Sequence, residues 1–175
     1  MKKKRIVISL VIIIALINVF LVARYTQYIL VGFINPNINV DGIKLMTTEE
    51  KAKKVLGEEE EYVPGFAGCA FQLNYPSKGI FLEFLGDCDT DFYRKVNIIK
   101  ITNEKYIICN IKVGINYDEA LKSIQKQGFT KIKEGFSGYY WKMNAYIVLE
   151  KNYDNNTVKS VTIGVRDRIS STRVY

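Results

Sequence analysis

The chain reads as an α+β protein: an N-terminal transmembrane helix followed by two tandem helix-plus-antiparallel-sheet repeats that form one domain. Three observations predict this. A basic tip, Met1-Lys-Lys-Lys-Arg5, precedes eighteen uncharged residues from Ile6 to Ala23. A set of helix caps, turns and β-branched runs then occurs twice. The chain beyond Val40 has roughly 135 residues, enough for one hydrophobic core.

The first element is the anchor. Eighteen residues at about 1.5 Å each rise about 27 Å, close to the hydrocarbon thickness of a bilayer. Four cationic side chains precede the run and only Arg24 follows closely. The expectation is a single-pass signal-anchor with the N-terminus in the cytoplasm and the rest of the chain outside it. A cleaved signal peptide, leaving a secreted domain, is the competing reading. Its apolar region is usually shorter, roughly 7–15 residues. The junction Leu21-Val22-Ala23 offers a small residue only at its last position, and no cysteine follows to mark a lipoprotein signal.

This assignment also explains the charge. Five of the 25 basic residues and none of the 18 acidic ones lie within residues 1–24, which leaves residues 25–175 with a net charge of +2. Nucleic-acid binding needs a basic face to neutralise phosphates, and none is visible. Residues 25–40 read as a juxtamembrane linker, with Tyr25 and Tyr28 suited to the membrane–water interface. Asn35-Pro36-Asn37 ends any helix there, because proline disfavours α geometry at the residue before it.

Residues 41–106 and 107–175 read as the two repeats, the second with a C-terminal tail. Ile43-Lys44-Leu45-Met46-Thr47-Thr48-Glu49-Glu50 is answered by Ile111 to Glu119 with one residue inserted. Thr47 or Thr48 caps the first helix and Asn116 the second, with Glu50 and Glu119 placed to complete capping boxes. Ala52, Val55 and Leu56 share one face of the first helix; Ala120, Leu121 and Ile124 share one face of the second. Gly57 and Gly128 suit the left-handed position that ends a helix. Gly65-Phe66-Ala67-Gly68 is matched by Gly135-Phe136-Ser137-Gly138 at an offset of 70. Phe71–Tyr75 and Ile80–Phe84, turned at Pro76-Ser77-Lys78-Gly79, correspond to Tyr139–Met143 and Tyr146–Glu150. Each copy closes on a β-branched strand, Val96–Ile101 and Val158–Val165. A fixed order at a fixed period marks a repeated structural unit. The helices are too short to stand alone and must dock on the strands.

This pattern of Ile-Lys start, Thr-Thr-Glu-Glu, helix, Leu56-Gly57, hairpin and closing strand resembles the repeats of the beta-lactamase inhibitory protein and of the small lipoproteins of the outer-membrane assembly machinery. The resemblance covers roughly residues 40–167. It implies a helix packed on a short antiparallel sheet in each unit, and a concave sheet surface offered to another protein. No binding residue transfers with it: the inhibitor's enzyme-entering loops have no counterpart at Pro76–Lys78 or Asn144, and the lipoproteins' acylated cysteine is absent.

The chemistry available is narrow. With no histidine, serine–histidine and cysteine–histidine nucleophile systems are impossible within the chain. No catalysis and no cofactor are expected, and Glu58–Glu61 reads as a solvated loop. Asp87-Cys88-Asp89-Thr90-Asp91 has the alternating acids that open a calcium loop. Phe92 and Ile98 stand where that loop needs Gly and Glu, so an acidic surface turn is the plainer reading. Cys69, Cys88 and Cys109 leave one thiol over in any pairing. A hairpin turning at 76–79 brings Cys88 within reach of Cys69, and an exported location permits that disulfide; buried free thiols are the alternative. On the second hairpin, Tyr139, Trp141 and Met143 are expected to face the helices. Tyr140, Lys142 and Tyr146 are expected outward, as a protein-binding patch. The function these features imply is a membrane-anchored, extracytoplasmic protein-binding module, inhibitor-like or assembly-factor-like. Its partners would be the membrane through residues 6–23 and another exported or envelope protein. The alternative is an envelope structural or stress factor that binds a small ligand or divalent ion.

Overall fold

Beyond residue 37 the chain is dominated by β-branched and aromatic runs, and these form strands. The computed structural model describes residues 2–65, 70–86, 90, 92–131, 138–142 and 144–166; in the first helix the described side chains are those of 6–22 and 31–34. Helix α1 spans Lys2–Ile34 and passes through one 3₁₀ turn, Asn35–Asn37, into the short strand β1, Ile38–Asn39. There follow α2 (Glu49–Leu56), β2 (Glu61–Val63), β3 (Phe71–Tyr75), β4 (Ile80–Phe84) and β5 (Val96–Ile101). Then come β6 (Ile107–Ile108), α3 (Tyr117–Lys126), β7 (Thr130–Lys131), β8 (Tyr139–Lys142), β9 (Ala145–Asn152) and β10 (Thr157–Val165).

Eight strands make one antiparallel sheet in the order β2-β3-β4-β5-β10-β9-β8-β7, and β1 pairs with β6 in a separate two-stranded sheet. Each short helix is thus followed by four strands of the large sheet, and β5 and β10 meet in the middle with Ile101 opposite Val161 and Ile99 opposite Ile163. One face of the large sheet is buried. Leu73, Tyr75, Ile80, Leu82, Ile99, Ile101, Ile147, Leu149, Val161 and Ile163 lie on it, packed in one core with Ala52 and Leu56 of α2 and Ala120 and Ile124 of α3. The Tyr75 hydroxyl donates to the Gly57 carbonyl at 3.1 Å, which ties β3 to the end of α2. At the first hairpin Gly79 has a φ of +67°, and a Cβ there would come within 2.8 Å of Asn103 and Thr102. Only glycine fits that turn.

Side chains cap both helices. The Thr48 hydroxyl accepts from the Lys51 amide at 3.3 Å, so Lys51 and not Glu50 stands at the third helical position. The Asn116 side chain accepts from the Asp118 and Glu119 amides at 3.0 and 3.2 Å.

Two expectations are corrected here. The first is the anchor: among the described residues no helix is long and apolar enough to cross a membrane. α1 runs on from this uncharged segment to Ile34, and its far end is drawn into the core of the sheet domain, where Val31 and Ile34 are buried. The transmembrane, signal-anchor and single-pass readings fall with it. The second is the α+β class. The fold is mostly sheet with few helices: α2 and α3 have only 8 and 10 residues, against eight strands in the large sheet. Their apolar stripe lasts two to three turns, while the strands present rows of buried β-branched and aromatic side chains.

The far end of α1 is fastened to the sheet domain. Val31 and Ile34 are buried in the same core. The Asn35 side chain both donates to the Leu45 carbonyl and accepts from the Leu45 amide, each at 3.0 Å. The Lys44 ammonium donates to the carbonyls of Asn35, at 2.7 Å, and Ile38.

Two measurements check this packing. Asn116→Ala leaves two amides of α3 uncapped and is expected to cost about 1 kcal/mol in denaturant unfolding, with Asn116→Asp close to wild type. Asp41 accepts from the Tyr106 hydroxyl at 2.7 Å and the Lys105 ammonium at 2.9 Å. These partners, Tyr106 foremost, hold its carboxyl below the usual range. A lowered carboxyl pKa stabilises the fold above the unfolded value of about 3.9 and loses that contribution as pH falls through the folded one. The denaturation midpoint should therefore fall between about pH 5 and pH 2, and less steeply in Asp41→Asn.

Candidate functional site

The two faces of the large sheet differ in what covers them. α2 and α3 pack on one; among the described residues no element packs on the other. Ladder register assigns the residues of this open face: Gln72 lies opposite Glu83, Glu83 opposite Ile98, and Phe81 opposite Lys100. Lys100 lies opposite Thr162 and Ile98 opposite Gly164. Gly164 in turn lies opposite Tyr146, and Tyr146 opposite Trp141. The open face thus carries an aromatic end on β8 and β9 and a mixed polar and apolar centre on β3, β4, β5 and β10.

The aromatic end is held by close packing. The Trp141 and Tyr146 rings lie 5.2 Å apart and those of Tyr139 and Tyr146 6.4 Å apart. Tyr146 lies across Gly164, where an added Cβ would come within 2.4 Å of the ring. Glycine on β10 gives the tyrosine room to lie flat. Burial, reinforced by the charge of Glu83, pushes the Tyr146 phenol far up, so it stays neutral. The Trp141 indole nitrogen is buried and finds no hydrogen-bond partner among the described residues.

The centre is polar where it is deepest. The Glu83 carboxylate accepts from Asn97 at 3.1 Å and from Gln72 at 3.5 Å. A depression of ≈ 350 Å³ opens here, lined by Gln72, Phe81, Glu83, Ile98, Lys100 and Thr162 among others. Farther along the sheet, Glu150 accepts from Lys100 at 3.1 Å and from Ser160 at 2.7 Å. The Ser160 hydrogen bond and, after it, Lys100 hold the Glu150 carboxyl below its ordinary value.

The structure does not bring the three expected patch residues together. Tyr140 is buried, 3% exposed, on the helix-covered face, and that burial raises its phenol pKa. Lys142 shares this covered side at the sheet margin: its ammonium donates to the Gln127 carbonyl at 2.7 Å and lies 5.9 Å from the Phe129 ring centre. Only Tyr146 reaches the open face, beside Tyr139 and Trp141, so the facing of β8 is the reverse of the expected one. Met143 lies outside the described residues, as do Cys69, Cys88, Asp87, Asp89 and Asp91, and with them the proposed disulfide and calcium turn. Cys109 is a buried free thiol that burial pushes up to about 11, too high for a thiolate nucleophile at neutral pH. Among the described residues no group of three or more metal-ligating side chains occurs. Sequence reasoning missed Trp141, Gln72 and Glu83 as open-face residues; for Gln72 and Glu83 the signal was a polar position alternating with Leu73, Leu82 and Phe84.

No family model and no curated protein matches the chain. Solved structures do. One is an extracellular protein containing a SCP domain from Bacillus anthracis, with a TM-score of 0.50 and 13% identity over 69% of this chain and 44% of that one. Another is a cysteine-rich secretory protein from Staphylococcus aureus, with a TM-score of 0.49 and 12% identity over 70% of this chain and 43% of that one. The chain spans less than half the length of either protein. At this identity the first likeness concerns the fold alone.

Proposed function

We propose that this chain is a non-catalytic binding module acting outside the cytoplasm, and that it docks another protein through the open face of its eight-stranded sheet. The observation that carries the reading is the uncovered face itself. Trp141, Tyr146, Tyr139, Ile98 and Phe81 lie on it, each only partly buried. Large aromatic side chains flanked by a few ordered polar groups are the composition that protein interfaces favour. The compartment is taken from the Bacillus anthracis protein of similar fold, which is extracellular. A non-catalytic role agrees with a chain that has no histidine and whose described cysteine is an inert, buried thiol.

Site-specific photocrosslinking tests the reading. A benzoylphenylalanine at position 146 should give discrete adducts with one partner protein in the native cells. The same group at Val55, exposed on the outer side of α2, should give none. Trp141→Ala should weaken binding by about 2 kcal/mol or more, roughly 30-fold. Adducts from position 55 and none from 146 would reject the open face as the docking surface.

A further inference from the structure

The two halves of the sheet carry the same irregularity, and it gives their residues an internal alignment. In the β4–β5 ladder Glu83 lies opposite Ile98 and Phe84 opposite Val96, so Asn97 is an inserted bulge residue. In the β9–β10 ladder Glu150 lies opposite Ser160 and Lys151 opposite Val158, so Lys159 is the inserted residue. Superposing the bulges sets Glu83 on Glu150, Ile98 on Ser160 and Lys100 on Thr162. Glu83 and Glu150 are therefore equivalent carboxylates on the open face, and the approximate two-fold axis runs between β5 and β10.

Their surroundings differ in charge: Glu150 has Lys100 and, at the bulge, Lys159 near it, where Glu83 has Thr162 and Asn97. Glu150 is neutralised by Lys100, which reaches it from β5 across β10 at 3.1 Å. The same approach to Glu83 would come from β10 across β5, and the residue there is Thr162, which carries no cation. Glu83 makes no ion pair among the described residues; its partners are the amides of Gln72 and Asn97. Asn97 is only 5% exposed. Its amide is oriented by donating to Glu83, which leaves its own side-chain oxygen buried without a partner among the described residues. Lys100 also lines the depression over Glu83 but spends its ammonium on Glu150. A half-buried carboxylate held by two neutral amides, beside a spare acceptor, is short of N–H donors and positive charge. A single carboxylate is a poor seat for a divalent metal, which takes six to eight oxygen ligands in the case of calcium. A long cationic side chain fits better: its methylenes can lie along Phe81 and Ile98 while its head meets Glu83.

We infer that Glu83 is the seat for a lysine or arginine side chain of the docking protein, which supplies the cation that Lys100 gives to Glu150. This rests on the open face being the docking surface, and the two can fail separately. The full chain is titrated with acetyl-arginine amide, acetyl-lysine amide and the neutral acetyl-citrulline amide, followed by the side-chain NH₂ resonances of Gln72 and Asn97. Saturable shifts are expected with both cationic probes and at least about tenfold weaker binding with citrulline, a difference of about 1.4 kcal/mol. Glu83→Gln should abolish the difference. Thr162→Lys, which installs the missing ammonium, should abolish it as well without lowering the melting temperature. No response in wild type, an equal response to citrulline, or an unchanged response in Thr162→Lys would overturn the inference. If crosslinking from position 146 then persists undiminished in Glu83→Gln, the docking face stands and the cation seat falls.

Discussion

The pairing of β5 with β10 is the interaction on which the rest of the structure depends. Neither helix-and-strands half has a core of its own size. α2 and α3 are two to three turns long, below the length at which an isolated helix holds in water. The ladder from Ile98–Gly164 to Ile101–Val161 fuses the halves into one sheet and buries Ile99, Ile101, Val161 and Ile163 completely at its centre. It also decides where the two helices lie. Both pack on the same side, which gives one continuous core and, among the described residues, leaves the other face uncovered.

Local chemistry was readable from the sequence because it depends on neighbours a few residues apart. The cap at Asn116 and the turn after Tyr75 follow from side chains within one turn of their partners, whereas the choice between Thr47 and Thr48 was left open and falls on Thr48. Facing was not readable on the second hairpin, and the cause is a register error. Aligning Phe71–Tyr75 with Tyr139–Met143 uses an offset of 68 and puts Tyr139 and Trp141 on the core side. The ladders pair Tyr75 with Ile80 and Tyr140 with Ile147, while the shared bulge sets Ile80 on Ile147. Tyr140 is therefore the counterpart of the buried Tyr75, an offset of 65. A slip of an odd number of residues turns every side chain to the other face. The N-terminal run was legible as an apolar helix; its reading as a membrane span, drawn from the uncharged run and its basic flank, is not upheld, because among the described residues no helix is long and apolar enough to cross a membrane.

The polar centre of the open face was hidden for a different reason. Glu150 and Lys100 are fifty residues apart, and nothing local joins them. Their contact exists because β5 and β9 flank β10. The contrast with Glu83 appears only once the bulges at Asn97 and Lys159 are matched. The matching bulges thus work as an internal control: the two carboxylates share a register position, so the differences between Lys100 and Thr162 and between Lys159 and Asn97 stand out against it. The aromatic cluster follows the same logic, since Tyr146 can lie flat only because its cross-strand neighbour is Gly164.

Native-state hydrogen exchange tests the central claim most directly. If β5·β10 joins the halves into one cooperative unit, the amides of Ile99, Ile101, Val161 and Ile163 should be among the slowest in the chain. All four should exchange with the free energy of global unfolding, as core strands do. The amides of β3–β4 and β8–β9 should follow them in a single denaturant-dependent transition. Separate opening of the two halves, with β5 and β10 exchanging faster than the strands on either side, would contradict the account.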